Sequence, residues 1–413
     1  MKYIEQPLGN FHVVIGANAS GKTTFLDVVS FLADIVRDGI DKAIYNRASN
    51  YTDLTFSGSG GDIELAIEVK LPERIVARLT HSTFDIIRYE ISIGLTDDTH
   101  EHAIKQERAI LLNSGVVYPN LNGFAQQRVG FPEATDAPLT LLNKKYKSTT
   151  YKSVIKKNLG GNDNFYLETN KDAGKGFMPS FRLGIKKSAL GNLPADDTKF
   201  PASTWLKNFL QEGVQLFVLD SLTMRDPSPP GQSVHFKTDG SNLPFVIEDL
   251  RKDKNKFTQW IEHIQTALPD IEDISTVERE EDKKRYIKIK YNTGIEVPSW
   301  LISDGTLRLM ALTIPAYLRA LSGVFLIEEP ENGIHPKAIE TVFSSLSSVY
   351  NAQILIASHS PIVLGMVKPE ELLCLAKTPE GMTDIVLGIN HPRLRDWKGN
   401  PNLSLLFASG ILS

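Results

Sequence analysis

Two periods of apolar and polar positions run through the chain. Near-continuous apolar runs at Phe11 to Ile15, Val324 to Ile327 and Ile354 to Ala357 predict strands buried on both faces, as in a parallel sheet covered by helices. After the first run, Phe25, Val28, Val29, Leu32 and Val36 recur at helical spacing, with Arg37 and Gly39 as terminal charge and stop. That order reads strand, loop, helix. Strict alternation appears instead at Ile63, Leu65, Ile67 and Val69, and again at Ile87, Tyr89, Ile91 and Ile93, which predicts antiparallel strands. From 113 to 205 the chain turns rich in Asn, Gly, Lys and Pro, the signature of an inserted subdomain with sizeable loops. Helical spacing returns over Phe245 to Leu268. Strands are predicted at Ile274 to Val277, Tyr286 to Ile289 and Ile295 to Val297, around a charged hairpin tip at Glu278 to Arg285, and a helix follows at Leu307 to Leu321. The expected organisation is an N-terminal portion over 1–112, an insertion over 113–205 and a C-terminal portion over 206–413. Neither an internal repeat nor a long heptad stretch interrupts it.

The chemistry gathers where the periodic segments change. Gly16-Ala17-Asn18-Ala19-Ser20-Gly21-Lys22-Thr23 matches the phosphate-binding loop G-x-x-x-x-G-K-[ST], between the predicted strand and helix that the motif requires. Unpaired N–H groups from Asn18 to Thr24 would cradle phosphates at the helix N-terminus. Lys22 would reach the β- and γ-phosphates, and Thr23 would offer its hydroxyl to Mg²⁺. Glu328 and Glu329 end the run at Ile327, and ligands of open α/β sheets sit at the carboxyl ends of strands. Glu328 is thus the candidate Mg²⁺ ligand and Glu329 the candidate general base for an attacking water. His359 ends the next apolar run, where it could hydrogen-bond that water. Ser303-Asp304-Gly305-Thr306, read alone, is a turn and N-cap before a helix.

Together, Gly16 to Thr23, Ser303 to Thr306, Glu328 to Pro336 and Ser358 to Pro361 resemble the ATPase heads of the ABC superfamily, in its SMC/RecF/OLD-like branch. Pro330-Glu331-Asn332-Gly333-Ile334-His335-Pro336 resembles the D-loop of prokaryotic AAA-type ATPases in that branch, and Ile302 to Arg308 their signature segment. The resemblance implies an α/β P-loop NTPase with a mixed core sheet, an antiparallel subsheet and a helical lobe. It also implies ATP and Mg²⁺ as cofactors, hydrolysis only after two heads close, and Ser303 and Gly305 acting on the nucleotide of the other copy. Glu328 stands where the family usually has an aspartate, and the segment before Gly16 is short for the family's first strand. The family's glutamine next to the metal has no clear counterpart, Gln106 being the candidate. Only 54 residues follow His359, too few for the nuclease domain of OLD-family proteins, so any nuclease would be a separate effector. The setting implied is anti-phage defence or DNA repair. An ATP-gated scaffold with little turnover and a transporter's nucleotide-binding subunit are the alternatives.

Composition narrows the picture slightly. The 413 residues are 41% apolar and 23% charged, with a net charge of −4, so nothing drives the whole surface toward nucleic acid. Lys144, Lys145, Lys147, Lys152, Lys156 and Lys157, interleaved with Tyr146 and Tyr151, form a local basic stripe that could meet DNA or RNA. A single cysteine, Cys374, excludes internal disulfides and suits a reducing compartment. With no apolar stretch near the ~20 residues of a membrane helix, the chain reads as cytoplasmic.

Overall fold

The strand that carries the phosphate loop takes the centre of its sheet because both its faces are apolar. In the computed structural model, which describes residues 1–118, 128–142, 146, 150–169, 178–318, 321–395 and 403–408, the chain divides into two compact units. One comprises Ile4–Leu26, Gln127–Ala134 and Gln215–Ser413, the other Met1–Tyr3, Asp27–Gln126 and Thr135–Val214.

The first unit is built on a six-stranded sheet in the order Thr383–Leu387, Leu372–Lys377, Phe11–Gly16, Ala352–Ala357, Gly323–Glu328, Val214–Phe217. The phosphate-loop strand pairs in parallel with Ala352–Ala357 on one side and Leu372–Lys377 on the other. Ala352–Ala357 in turn pairs in parallel with Gly323–Glu328, while Thr383–Leu387 runs antiparallel at the edge. The sheet is therefore mixed. Val13, Val14 and Ile15 are each 0% exposed, which is the double-sided burial that their unbroken apolar run predicts. Helix Pro336–Ser347 covers part of this sheet, where Phe343 meets Phe11 edge-on with ring centroids 5.3 Å apart. Helices Leu243–Arg251 and Lys254–Ala267 and a three-stranded antiparallel sheet, Ile271–Glu278, Arg285–Tyr291 and Glu296–Pro298, share the same apolar core. Trp260 is fully buried in this core, its indole N–H donating to Thr313 Oγ1 at 3.0 Å. Cys374 is buried, and burial holds its thiol well above the ordinary cysteine value.

The second unit is an antiparallel sheet of six strands, Ile63–Lys70, Ile86–Leu95, His102–Leu112, Tyr151–Asn158, Asp163–Phe165 and Ser180–Phe181, side by side in chain order. The segment expected as an insertion thus continues the sheet of the alternating strands, Tyr151–Asn158 pairing with His102–Leu112. Ile87, Tyr89, Ile91 and Ile93 are each 0% exposed, but Arg88, Glu90 and Ser92 between them are buried too. The reason is local: Arg88 is ion-paired to Glu90 and Glu68 and donates to the carbonyl of Leu141, so chain from the loop region covers the face that alternation assigns to solvent.

The basic stripe changes character in the same way. Lys157 is 4% exposed, ion-paired to Asp163 at 2.6 Å and donating to the Gly184 carbonyl at 2.9 Å, which removes it from any phosphate-binding surface. Lys152 is half-buried and donates to Thr80 Oγ1, and burial lowers its pKa. Lys156 is exposed, and Lys144, Lys145 and Lys147 lie outside the described residues. Among the described residues, no helix is long and apolar enough to cross a membrane.

Candidate active site

Tight backbone geometry shapes the phosphate loop before any side chain acts. Gly16 has φ +155°, and a Cβ there would lie 2.2 Å from the Leu375 carbonyl oxygen and 2.6 Å from Ser20 Oγ, so no other residue fits without moving backbone. Gly21 and Ala19 also take positive φ. The loop closes through Ser20 N–H to Ala17 O at 3.2 Å, and Thr383 Oγ1 of the edge strand donates to Ser20 O at 2.9 Å. Helix Lys22–Asp38 begins at the lysine. Asn18, Ala19, Thr23 and Thr24 are exposed, Gly21 is half-buried, and Ser20 is buried.

Lys22 Nζ donates to the carbonyls of Gly16 and Ala17 at 2.9 and 3.0 Å, folding the side chain back over the loop. Burial lowers its pKa, and the carboxylates of Glu329 and Glu328 oppose that shift. Thr23 Oγ1 donates to Glu328 Oε2 at 3.2 Å, a contact between residues 305 positions apart. The parallel register produces it, because Glu328 pairs with Ala357 and Ala357 with Val14 at the same end of the sheet.

Glu329 leaves the strand with φ 45°, a left-handed backbone that is costly for a residue with a Cβ and is found where surrounding contacts hold it. Those contacts are present: its N–H donates to the Ala357 carbonyl at 2.8 Å, and the Asn332 N–H donates to its carbonyl at 3.0 Å. The Asn332 side-chain amide donates to Glu329 Oε2, and His359 Nε2 stands 3.7 Å from Glu329 Oε1.

Ser303 and Gly305 are held by a different set of contacts. Ser303 is exposed and caps helix Asp304–Thr313, its Oγ accepting from the Thr306 N–H at 3.3 Å. Arg225 secures the same corner, donating to the Ile302 carbonyl and pairing with Asp304 at 2.7 Å. A Cβ at Gly305 would fall 2.7 Å from the Gly333 carbonyl oxygen, so this glycine lets the helix start pack on the turn after the acidic strand. Gln106, the candidate metal-linked glutamine, lies in strand His102–Leu112 opposite Ser92 and Asn158, in the other unit.

A family described as "AAA domain, putative AbiEii toxin, Type IV TA system" matches residues 11–145 and 176–365. The chain belongs to this AAA-domain family. The second matched stretch carries Ser303, Glu328, Glu329 and His359, and the first carries the whole phosphate loop. Among solved structures, the AAA-domain chain is similar to an SMC head bound to the C-winged helix domain of ScpA, at 13% identity over 92% of this chain and 90% of that one, with a TM-score of 0.47. An SMC head with an extended coiled coil bound to the C-terminal domain of ScpA, from Pyrococcus furiosus, matches at 12% identity over 92% and 90%, TM-score 0.42. The SMC head domain of Thermotoga maritima matches at 10% over 91% and 89%, TM-score 0.34. No curated protein sequence matches the chain.

The donor set of this AAA domain suits Mg²⁺. A hydroxyl and a carboxylate, both exposed and within hydrogen-bond distance, are hard oxygen ligands of the kind that share a Mg²⁺ with substrate phosphates and water. Among the described residues no group of three or more His, Cys, Asp or Glu could hold a metal by itself. Two residues with no assigned role in the sequence reading enter the site: Asn332, on Glu329, and Glu331, whose Oε1 accepts from Ser358 Oγ and the His359 N–H. The available signal was the D-loop-like segment Pro330 to Pro336, which contains both and follows Glu329 directly.

Proposed function

We propose that the chain is an ATPase that closes on ATP with a second copy and uses that cycle to control a separate effector, such as a nuclease, in prokaryotic anti-phage defence or DNA repair. The observation that carries the reading is the cluster at the carboxyl ends of three adjacent parallel strands: Lys22 and Thr23 from the loop, Glu328 at 3.2 Å from Thr23, and Glu329 at 3.7 Å from His359. Each residue type has work in γ-phosphate hydrolysis. Loop N–H groups and the helix N-terminus bind phosphate oxygens. Lys22, released from the Gly16 and Ala17 carbonyls, would follow the γ-phosphate. Mg²⁺ held by Thr23 and Glu328 would supply charge compensation to the β- and γ-phosphate oxygens. Glu329 would orient water in line and accept its proton, and His359 would steady the same water or the γ-phosphate oxygen. Ser303 and the Gly305 N–H of a second copy would complete the anion site from the other side. The effector and the defence or repair setting rest on the sequence resemblance and the toxin–antitoxin description of the family.

Phosphate release and light scattering test this together on wild type, Lys22→Ala, Glu329→Gln and Ser303→Arg. Expected are loss of turnover in all three variants, an ATP-dependent larger species trapped by Glu329→Gln, and no such species with Ser303→Arg. ATP binding without turnover in the wild type would replace the engine with an ATP-gated scaffold.

A further inference from the structure

The turn after the acidic strand carries a third carboxylate, Glu331, which is bonded to the loop that bears His359. Glu331 Oε1 accepts from the Ser358 hydroxyl at 2.7 Å and from the His359 backbone N–H at 3.1 Å. Ser358 is 0% exposed, its N–H donates to the Val14 carbonyl at 3.2 Å, and its Oγ accepts from the Ser360 N–H at 3.0 Å. One carboxylate oxygen therefore organises three consecutive residues, Ser358, His359 and Ser360. The other oxygen, Oε2, is buried with no hydrogen-bond partner, and Glu331 lines a small apolar cavity with Ile339, Val342, Phe343, Leu346 and Val363.

A buried, unpaired carboxylate oxygen is unfavourable for the fold. Stability alone gives Glu331 a poor account. Its geometric effect at the site is specific, however. Glu329 and Glu331 belong to one turn, pinned by Glu329 N–H to Ala357 O and by Asn332 N–H to Glu329 O. From that turn Glu331 reaches across to the loop of the neighbouring strand and fixes the backbone bearing His359, whose Nε2 is 3.7 Å from Glu329 Oε1. The spacing between the general base and the histidine is thus set by Glu331.

We infer that Glu331 is a positioning residue for hydrolysis: it acts through His359, by holding the Ser358–His359 backbone against the Glu329 turn, and touches neither nucleotide nor water. The inference rests on the ATPase reading above. Its test is a double-mutant cycle on the full chain, with kcat, KM for ATP and ATP affinity measured for wild type, Glu331→Ala, His359→Ala and the double variant. Glu331→Ala should lower kcat roughly 10²-fold, as misplacement near a reacting group does, with KM and ATP affinity little changed. In the His359→Ala background the same substitution should cost nothing further, because the two act as one unit. Glu331→Gln keeps the accepting oxygen and should recover most of the loss. Equal losses in both backgrounds, or an unchanged kcat in Glu331→Ala, would overturn the inference. If Glu331→Ala loses its thermal unfolding transition, Glu331→Asp, which withdraws the carboxylate by one methylene, takes its place in the same cycle. Turnover that is abolished by Glu329→Gln yet indifferent to Glu331 would overturn this inference alone. A wild type without turnover would overturn the ATPase reading and this inference with it.

Discussion

In the antiparallel unit, Glu107 and Glu168 are 0% exposed, and both oxygens of each accept hydrogen bonds. Glu107 accepts from Tyr89 Oη, Ser188 Oγ and the N–H groups of Ala189 and Leu190. Glu168 accepts from the Ala202 and Ser203 N–H groups at the start of helix Pro201–Glu212, and from the Ser203 hydroxyl. In the phosphate-loop unit, Glu328 is exposed and meets Thr23, while Glu329 leans on Asn332 and His359 with its backbone bent to φ 45°. The same residue type is scaffold in one unit and open chemistry in the other. What separates them is how much the fold already supplies: the two buried carboxylates are met by backbone N–H groups on both oxygens and closed to solvent, whereas Glu328 at its strand end stays open.

That contrast can be broken most forcefully at Glu329. Glu329 is the proposed general base, and removing such a base typically costs about 10²–10⁴ in rate, so Glu329→Gln should lower phosphate release by that factor while leaving the urea unfolding midpoint near wild type; a large loss of stability instead would make Glu329 scaffold. Next in size is the buried pair Lys157–Asp163. Asp163→Ala leaves an uncompensated buried ammonium and should destabilise the antiparallel unit by about 3–5 kcal/mol, read by urea unfolding, with no such cost for the exposed Lys156→Ala.

Glu168 offers a pH test with a definite sign. Burial is the leading cause that pushes its carboxyl up to about 7, against the pull of the Ser203 hydroxyl and the helix N–H groups. The folded state therefore binds a proton that the unfolded chain releases near the ordinary glutamate value, and this contribution to stability is present below that value and is lost as pH rises through about 7. Wild type should lose on the order of 1–3 kcal/mol over that window relative to Glu168→Gln, and parallel pH profiles for the two would refute it. The smallest effect belongs to Ser303. Ser303→Ala removes a cap worth about 1 kcal/mol, but its loss of turnover should exceed what unfolding explains, since the hydroxyl is also proposed to meet the nucleotide of a second copy.

The alternating strands show how far pattern reading reaches. Ile87, Tyr89, Ile91 and Ile93 mark one buried face as predicted, yet Arg88 and Glu90 occupy a second covered face, because a loop region with no period of its own supplies the cover at Leu141. Within the stripe of lysines, Lys157 departs from the expectation for the same reason, while Lys156 stays exposed. Lys157 reads as solvated only until Asp163 and the Gly184 carbonyl are brought to it. In the candidate site, Lys22, Thr23, Glu328, Glu329 and His359 were legible because each ends a strong apolar run or sits in a dense motif. Glu331 and Asn332 stood out only as part of the D-loop-like segment, without individual roles, since a carboxylate and an amide in a turn look like ordinary solvated residues until their partners are known.

The sequence by itself determined the elements whose causes are local. Gly16 to Thr23 between a strand and a helix, the long apolar runs and the alternating ones follow from neighbours within a turn or a few residues, where spacing alone decides what can be buried. Only the tertiary structure decided that Thr23 meets Glu328 and that Glu331 holds the loop of His359. Those contacts depend on the register Phe11 to Ile354 and Phe325 to Ile354 between strands far apart in the chain, and register is set by the packing of whole faces, to which no single residue's neighbours in sequence give access.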